Sequence, residues 1–116
     1  SVITGWGKEI LSNPERFNNR FYQSFIVLSY CKMLYDLHTG EVGSKRAGAE
    51  WAKHNLDRSW SGLIDRTWAG RPNPAVSVRQ PADALDFQHT LEFIVEVTRQ
   101  AKKLALKLGV PGSSLD

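Results

Sequence analysis

The sequence predicts an all-α fold, a bundle of about five helices around one buried central helix. Apolar residues recur at spacings of three and four along most of the 116 residues, which is the period of amphipathic helices. An alternating strand pattern of useful length is missing, and residues 76–78 are the only candidate for one. Clusters of glycine, proline and asparagine divide the pattern into helix-sized segments. A chain of this length forms a single domain.

The first half of the chain contains the segment predicted to be the central helix. A short helix is predicted over 5–11, and Asn13-Pro14-Glu15 is typical of a helix start, with an N-cap, a proline at N1 and a first-turn acid. From there to Leu37 nothing breaks a helix, and Thr39-Gly40 predicts a left-handed end. Apolar residues lie almost all the way round, which is typical of a buried helix. They are Phe17, Phe21, Phe25, Ile26, Val27, Leu28, Tyr30, Met33, Leu34, Tyr35 and Leu37.

Three further helices are predicted in the second half. Ser44 is expected to cap a helix that runs to about Asn55, and Asp57 to cap the next one. Residues 70–82 hold three prolines and are predicted to form the one long loop. The last helix starts near the acids Asp83 and Asp86 and ends in lysines, a charge order that complements the helix dipole. Its predicted core stripe is Phe87, Leu91, Ile94, Thr98, Ala101, Ala105 and Leu108.

Composition excludes several classes of protein. With 41% hydrophobic and 23% charged residues, the chain matches an ordinary globular domain and not a disordered one. The longest apolar stretch, 25–28, is far shorter than the roughly 20 residues that cross a bilayer, so no membrane partner is expected. The single cysteine, Cys31, excludes an intrachain disulfide and is predicted to be a buried small residue. A cytoplasmic location fits, and a net charge of +3 is too weak to predict nucleic-acid binding.

One motif suggests an anion site. Gly43-Ser44-Lys45-Arg46-Ala47-Gly48 places two cations beside the exposed backbone N–H groups of a helix start, an arrangement that suits a phosphate. The spacing of a Walker loop is absent. No paired Asp-x-Asp follows, so the motif is not the glycine-serine turn of a nucleotidyltransferase either. The alternative interpretation is a plain helix start with solvated charges.

Other chemistry-bearing residues do not combine into a catalytic centre. His38, His54 and His89 lie far apart in the sequence, so no metal site is predicted. Asp83 and Asp86 are interpreted as dipole complements, and the pairs Asp65-Arg66 and Glu92/Glu96 as solvated faces. Trp68, beside the proline-rich loop, is the best candidate for a ligand-facing ring.

At 26–68 the sequence resembles the C-terminal helical domain of aminoglycoside adenylyltransferases, the streptomycin/spectinomycin 3″(9)-O-nucleotidyltransferases. The resemblance rests on Ile26 to Tyr35, on the Thr39-Gly40 turn and on the block Ser44-Lys45-Arg46-Ala47-Gly48-Ala49-Glu50-Trp51-Ala52. It implies a two-domain parent, in which an N-terminal nucleotidyltransferase domain holds Mg²⁺ and the catalytic acids. ATP and a hydroxyl acceptor such as an aminoglycoside then bind between the two domains. This chain corresponds to the helical half alone, which is not expected to be catalytic by itself.

The resemblance also implies binding residues. The family lysine at the ATP phosphates matches Lys45, and a family arginine falls on Lys32, which keeps the charge without the guanidinium fork. A family tyrosine near the nucleotide falls close to Arg71, with Trp68 as the nearest aromatic. The family acids that grip the acceptor amines fall near Asn18 and Tyr22, neither of which is acidic, and Glu15 is the nearby acid. The alternative hypothesis is a stand-alone helical binding or dimerisation module without a nucleotide role, and a homodimer fits either interpretation.

Overall fold

The computed structural model describes residues 2–69 and 79–109, and side chains from residue 5 onward. Within these ranges it confirms the predicted all-α class: there are five α-helices and no strand. We label them α1 (Val2–Ser12), α2 (Arg20–Thr39), α3 (Lys45–Asn55), α4 (Ser61–Ala69) and α5 (Ala84–Lys107). Two short 3₁₀ helices, Pro14–Phe17 and Arg58–Trp60, precede α2 and α4. No helix of the described chain is both long and apolar enough to cross a membrane.

Helix α2 is the central element, as predicted. It packs against each of the other four helices. Its fully buried residues include Ile26, Val27, Tyr30 and Leu34. Cys31 is also fully buried, and desolvation raises the pKa of its thiol to about 12, which confirms the prediction of a small core residue. The helix ends at Gly40, whose φ of 73° is the left-handed conformation that glycine adopts without a steric cost.

The prediction of one continuous helix from Pro14 is wrong. Pro14–Phe17 is a separate 3₁₀ turn, and Asn13 makes no capping side-chain bond. The chain leaves helical geometry at Asn18, and Asn19 is extended (φ −148°) and accepts the backbone N–H of Tyr22 on its side chain, so α2 starts at Arg20. Short polar side chains compete with helical hydrogen bonds in this way and favour caps. Phe17 therefore lies outside the α2 stripe, although it is still buried.

The two predicted caps in the later helices, Ser44 and Asp57, are present. Ser44 Oγ accepts the backbone N–H of Ala47 at 3.0 Å and starts α3. The Asp57 carboxylate accepts the N–H of Ser59 and starts the 3₁₀ turn that leads into α4. Asp83, interpreted from the sequence only as a complement to the helix dipole, is also an N-cap, since its Oδ1 accepts the N–H of Asp86 at the start of α5. The order of the helices and their caps thus follow from local sequence signals.

Two predictions for the second half need correction. Leu108 is 57% exposed because it lies at the C-cap of α5, beyond the last core-facing turn, and Phe93 and Val97 fill core positions instead. Arg66 is exposed, but its guanidinium forms a two-pronged bond to the Asp86 carboxylate and so links α4 to α5. The predicted loop 70–82 lies mostly outside the described residues.

Candidate functional site

The side of α2 that no other helix fully covers carries the residues of interest. We call it the α2 surface and define it by Tyr22, Phe25, Lys32 and Asp36, together with Lys45 from the start of α3. The Lys45 ammonium lies over the Phe25 ring, 4.1 Å from its centroid. A cation over an aromatic face is held by the quadrupole of the ring. This contact places the first cation of the predicted anion motif directly on the α2 surface.

Lys32, the other lysine that the resemblance implies at the phosphates, is held by Asp36 one turn later. Lys32 Nζ donates to Asp36 Oδ2, and Asp36 Oδ1 accepts the backbone N–H of Gly43 at 2.8 Å. Both charged side chains are mostly buried, with 30% and 25% of their surface exposed. One carboxylate therefore holds a cation and also anchors the turn that leads into α3.

Gly43 packs tightly in the same turn. A β-carbon at Gly43 would lie 2.3 Å from Cε1 of Tyr35, a distance that no real contact shows. The turn is thus fixed by the left-handed Gly40, by the Gly43–Tyr35 contact and by the Asp36 bond. Because Ser44 and Lys45 follow immediately, their position relative to α2 is set by this turn.

An aromatic cluster adjoins the α2 surface near the start of the helix. Its rings are Trp6, Phe17, Phe21, Tyr22 and Phe25, with neighbouring centroids 5.2 to 6.2 Å apart. Most pairs meet edge to face, the geometry that the ring quadrupole favours. Phe25 is 39% exposed and carries the Lys45 ammonium, so the cluster connects Tyr22 to the cationic end of the surface.

The remaining predicted residues are distributed unevenly. Asn18 lies between Phe17 and the Asn19 cap, and its buried Oδ1 has no hydrogen-bond partner among the residues that the structure describes. Glu15 is exposed on the 3₁₀ turn. Trp68 is half-buried on α4 and packs against the core. Arg71 lies outside the described residues.

Sequence reasoning missed two members of this surface, Asp36 and Phe25. The spacing of Lys32 and Asp36 is four residues, which is the spacing of helical ion pairs, so the pair could have been found. The sequence predicts Phe25 as part of the apolar stripe of the central helix. Only the folded structure shows that its ring is partly exposed and lies under the Lys45 ammonium.

The α2 surface suits an anionic ligand that also carries a ring better than it suits a metal ion. Two ammonium groups and the positive end of the α3 dipole favour a phosphate, and the exposed Phe25 ring offers an apolar surface. Among the described residues no group of three or more His, Cys, Asp or Glu side chains could hold a metal ion. These residues therefore suit a phosphate group, and the described residues form no carboxylate cluster for a Mg²⁺ ion.

Comparison with known proteins supplies the family. A family model described as "Aminoglycoside adenylyltransferase, C-terminal domain" matches residues 3–92. No curated protein and no solved structure matches the chain. The match spans α1 to α4 and the start of α5, and it therefore includes the whole α2 surface. The chain belongs to the family of aminoglycoside adenylyltransferase C-terminal domains.

Proposed function

We propose that this chain is the helical domain of an adenylyltransferase, which closes the cleft where ATP and a hydroxyl acceptor bind. Lys45 and Lys32 contact the ATP phosphates, and the start of α2 forms one wall of the acceptor site. The family is that of a C-terminal domain, which implies an N-terminal nucleotidyltransferase domain as its partner. That partner supplies Mg²⁺ and the catalytic acids, and AMP passes to the acceptor hydroxyl. The isolated chain is proposed to be inactive.

The observation that carries this proposal is the approach of Lys45 to Phe25. Lys45 is the first residue of α3, and its ammonium lies over the Phe25 ring on the α2 surface. A triphosphate there gains charge-assisted hydrogen bonds from Lys45, and the aromatic surface beside it accommodates a base or sugar. Lys32 has three N–H donors, so it can keep Asp36 and also donate to a phosphate oxygen.

The acceptor wall is proposed to include Asn18, Tyr22 and Glu15. Among the described residues Asn18 Oδ1 is a buried oxygen without a hydrogen-bond partner. An N–H or O–H group of the substrate that receives AMP would satisfy it. Glu15 is the one carboxylate among the three. A wall with one negative charge favours an acceptor with fewer amines than a typical aminoglycoside carries, because each ammonium needs its own acidic partner in a partly dry cleft. Trp68 and Arg71 remain proposed nucleotide neighbours by resemblance.

Titration of ATP into the chain, followed by calorimetry and by amide NMR shifts, tests the phosphate role. We expect weak saturable binding that Lys45→Gln lowers about tenfold, since a hydrogen bond to a charged group contributes about 1.5–3 kcal/mol. Lys45→Arg keeps the charge and should retain most of the affinity. Lys103→Gln on α5, outside the α2 surface, is the matched control. ATP binding that is unaffected by Lys45→Gln contradicts the proposal, and so does a stable dimer that ignores ATP, which instead favours a stand-alone module.

A second assay tests the proposed inactivity. The isolated chain is incubated with Mg²⁺, ATP and spectinomycin or streptomycin, and AMP transfer is followed by mass spectrometry. We expect no adenylylated product, because the described residues provide no metal-holding carboxylate group. Turnover above a heat-denatured control would show that the chain has catalytic groups of its own.

A further inference from the structure

A second concave site lies on the side of α2 that faces α4 and α5. It is a cavity of about 370 Å³ lined by Arg20, Gln23, Ser24, Arg66, Asp83 and Asp86. Its size falls in the range of small-molecule pockets. None of its lining residues belongs to the α2 surface, so it is a separate feature of the molecule.

The α2 side of the cavity consists of two buried polar side chains. Gln23 and Ser24 are 8% and 7% exposed. Gln23 Nε2 donates to Thr90 Oγ1 at 3.3 Å, and the Thr90 hydroxyl donates to the carbonyl oxygen of Asp86 at 2.7 Å. This chain of bonds holds the Gln23 amide in place and leaves its oxygen without a donor from the described residues.

Ser24 is the more informative of the two. Among the described residues its hydroxyl has no hydrogen-bond partner, although the side chain is more than nine-tenths buried. Its oxygen still reaches solvent, because among the described residues only Asn18 Oδ1 is a buried side-chain polar atom without a partner. A ligand in the cavity would replace water as the hydrogen-bond partner of the Ser24 hydroxyl.

Of the four charged residues that line the cavity, one cation, Arg20, and one carboxylate, Asp83, can still bind a ligand. Arg66 and Asp86 neutralise each other through the two-pronged bond, with distances of 2.7 to 3.1 Å. Among the described residues the Arg20 guanidinium makes one hydrogen bond, a long one of 3.4 Å to Gln80 Oε1, while the Arg20 backbone N–H donates to the carbonyl oxygen of Gln80. Asp83 uses Oδ1 to cap α5, which leaves its second carboxylate oxygen for a ligand.

We propose that this cavity binds a small zwitterion of the α-amino acid class. The ligand carboxylate pairs with the Arg20 guanidinium and the Ser24 hydroxyl, while its ammonium pairs with Asp83. A volume of about 370 Å³ equals about twelve water molecules at roughly 30 Å³ each, which is ample for a free amino acid. The Arg66–Asp86 pair contributes no net charge, so a ligand with a single charge leaves either Arg20 or Asp83 uncompensated.

Titration of the ¹⁵N-labelled chain with pools of the L-amino acids tests this site. We expect at least one amino acid to give saturable shifts centred on the amides of Arg20, Ser24 and Asp83. Acetate and ethylamine, which carry one charge each, should bind at least tenfold more weakly. Shifts that acetate alone reproduces, shifts confined to other regions, or no saturation by any pool would each overturn the proposal.

Variants then assign the contacts. Arg20→Gln and Asp83→Asn should each weaken binding about tenfold, and Asn at 83 still caps the helix, so folding is kept. Ser24→Ala should weaken it severalfold. Lys45→Gln is the matched control and should leave amino-acid binding unchanged, whereas it should weaken ATP binding. Unchanged amino-acid affinity in both Arg20→Gln and Asp83→Asn would contradict the site. ATP binding is measured separately, so a negative result for the amino acid leaves the proposed nucleotide role untouched.

Discussion

Gly48 of α3 lies directly against the backbone of Lys32 in α2. A β-carbon at Gly48 would lie 2.6 Å from Lys32 Cα and 2.7 Å from Lys32 N. Backbone atoms cannot move aside as the tip of a side chain can. The two helices therefore cross at their closest approach beside a residue of the α2 surface, and the glycine in the Ser-Lys block has a packing role as well as a place in a motif.

Gly48→Ala should consequently destabilise the fold. Alanine is the better helix former by about 1 kcal/mol, but separating α2 from α3 costs more, so we expect a net loss of about 1–3 kcal/mol in the free energy of unfolding. Urea denaturation measures it. Gly62→Ala is the control, because the nearest atom there is the flexible tip of Arg66 at 3.0 Å. That variant should be neutral or more stable by up to about 1 kcal/mol. Equal effects at the two glycines would contradict the close-packing argument.

Local signals predicted much of this fold, and non-local contacts account for what they missed. Gly40, Ser44 and Asp57 act within a few residues of themselves, so their caps could be predicted. The break at Asn18–Asn19 was missed because Asn13-Pro14-Glu15 is an equally good start signal, and the choice between them depends on how Phe17 packs with Trp6 and Tyr22. Tertiary packing overrides local preference in such cases.

The candidate site shows the same division. The cationic motif at Ser44-Lys45 could be identified from sequence, but its neighbour could not, because Phe25 is twenty residues away and meets Lys45 only after α3 folds back on α2. The Arg66–Asp86 bond also spans twenty residues. Such pairs have no spacing rule that a single sequence can reveal.

The Cys31 thiol should be unreactive in the folded chain. It is fully buried, and desolvation raises its pKa to about 12, so almost no thiolate exists near neutral pH. We expect no labelling by a thiol reagent in buffer, and complete labelling in denaturant at the rate of unfolding. Fast labelling of the native chain, measured by absorbance, would show that α2 opens locally around this residue.

His38 predicts a pH dependence of stability. The residue is exposed, but its ring lies 4.7 Å from that of Trp51, and partial desolvation lowers its pKa from the ordinary value of 6.5. The unfolded chain therefore binds a proton more readily than the folded one, so stability falls as the pH drops through and below the ordinary histidine range, and this effect vanishes above it.

Replacing the histidine should remove that contribution. We expect His38→Gln to lose less stability than the wild type when urea denaturation at about pH 7.5 is compared with about pH 5. His54→Gln, on an exposed position of α3, should keep the wild-type difference. A His38 variant with the full wild-type loss would assign the pH dependence to other groups.

Asp36 is predicted to stabilise the α2–α3 turn through Gly43 and to hold Lys32 in an ion pair. Asp36→Asn keeps an oxygen for the Gly43 N–H and removes the ion pair, whereas Asp36→Ala removes both. We expect the alanine variant to lose about 1–2 kcal/mol of stability, because the Gly43 donor is left without its partner, and the asparagine variant to lose less than 1 kcal/mol.

The same pair of variants separates positioning from charge at the proposed phosphate site. Asp36→Asn removes a negative charge beside Lys32 and keeps the turn that positions Lys45, so ATP should bind severalfold more tightly than to the wild type. Asp36→Ala also removes that charge but loosens the turn, so its affinity should fall below that of the asparagine variant. Calorimetric titration compares the two, with Lys32→Gln as the reference for a lost cation. Weaker ATP binding by Asp36→Asn than by Asp36→Ala would contradict this division of roles.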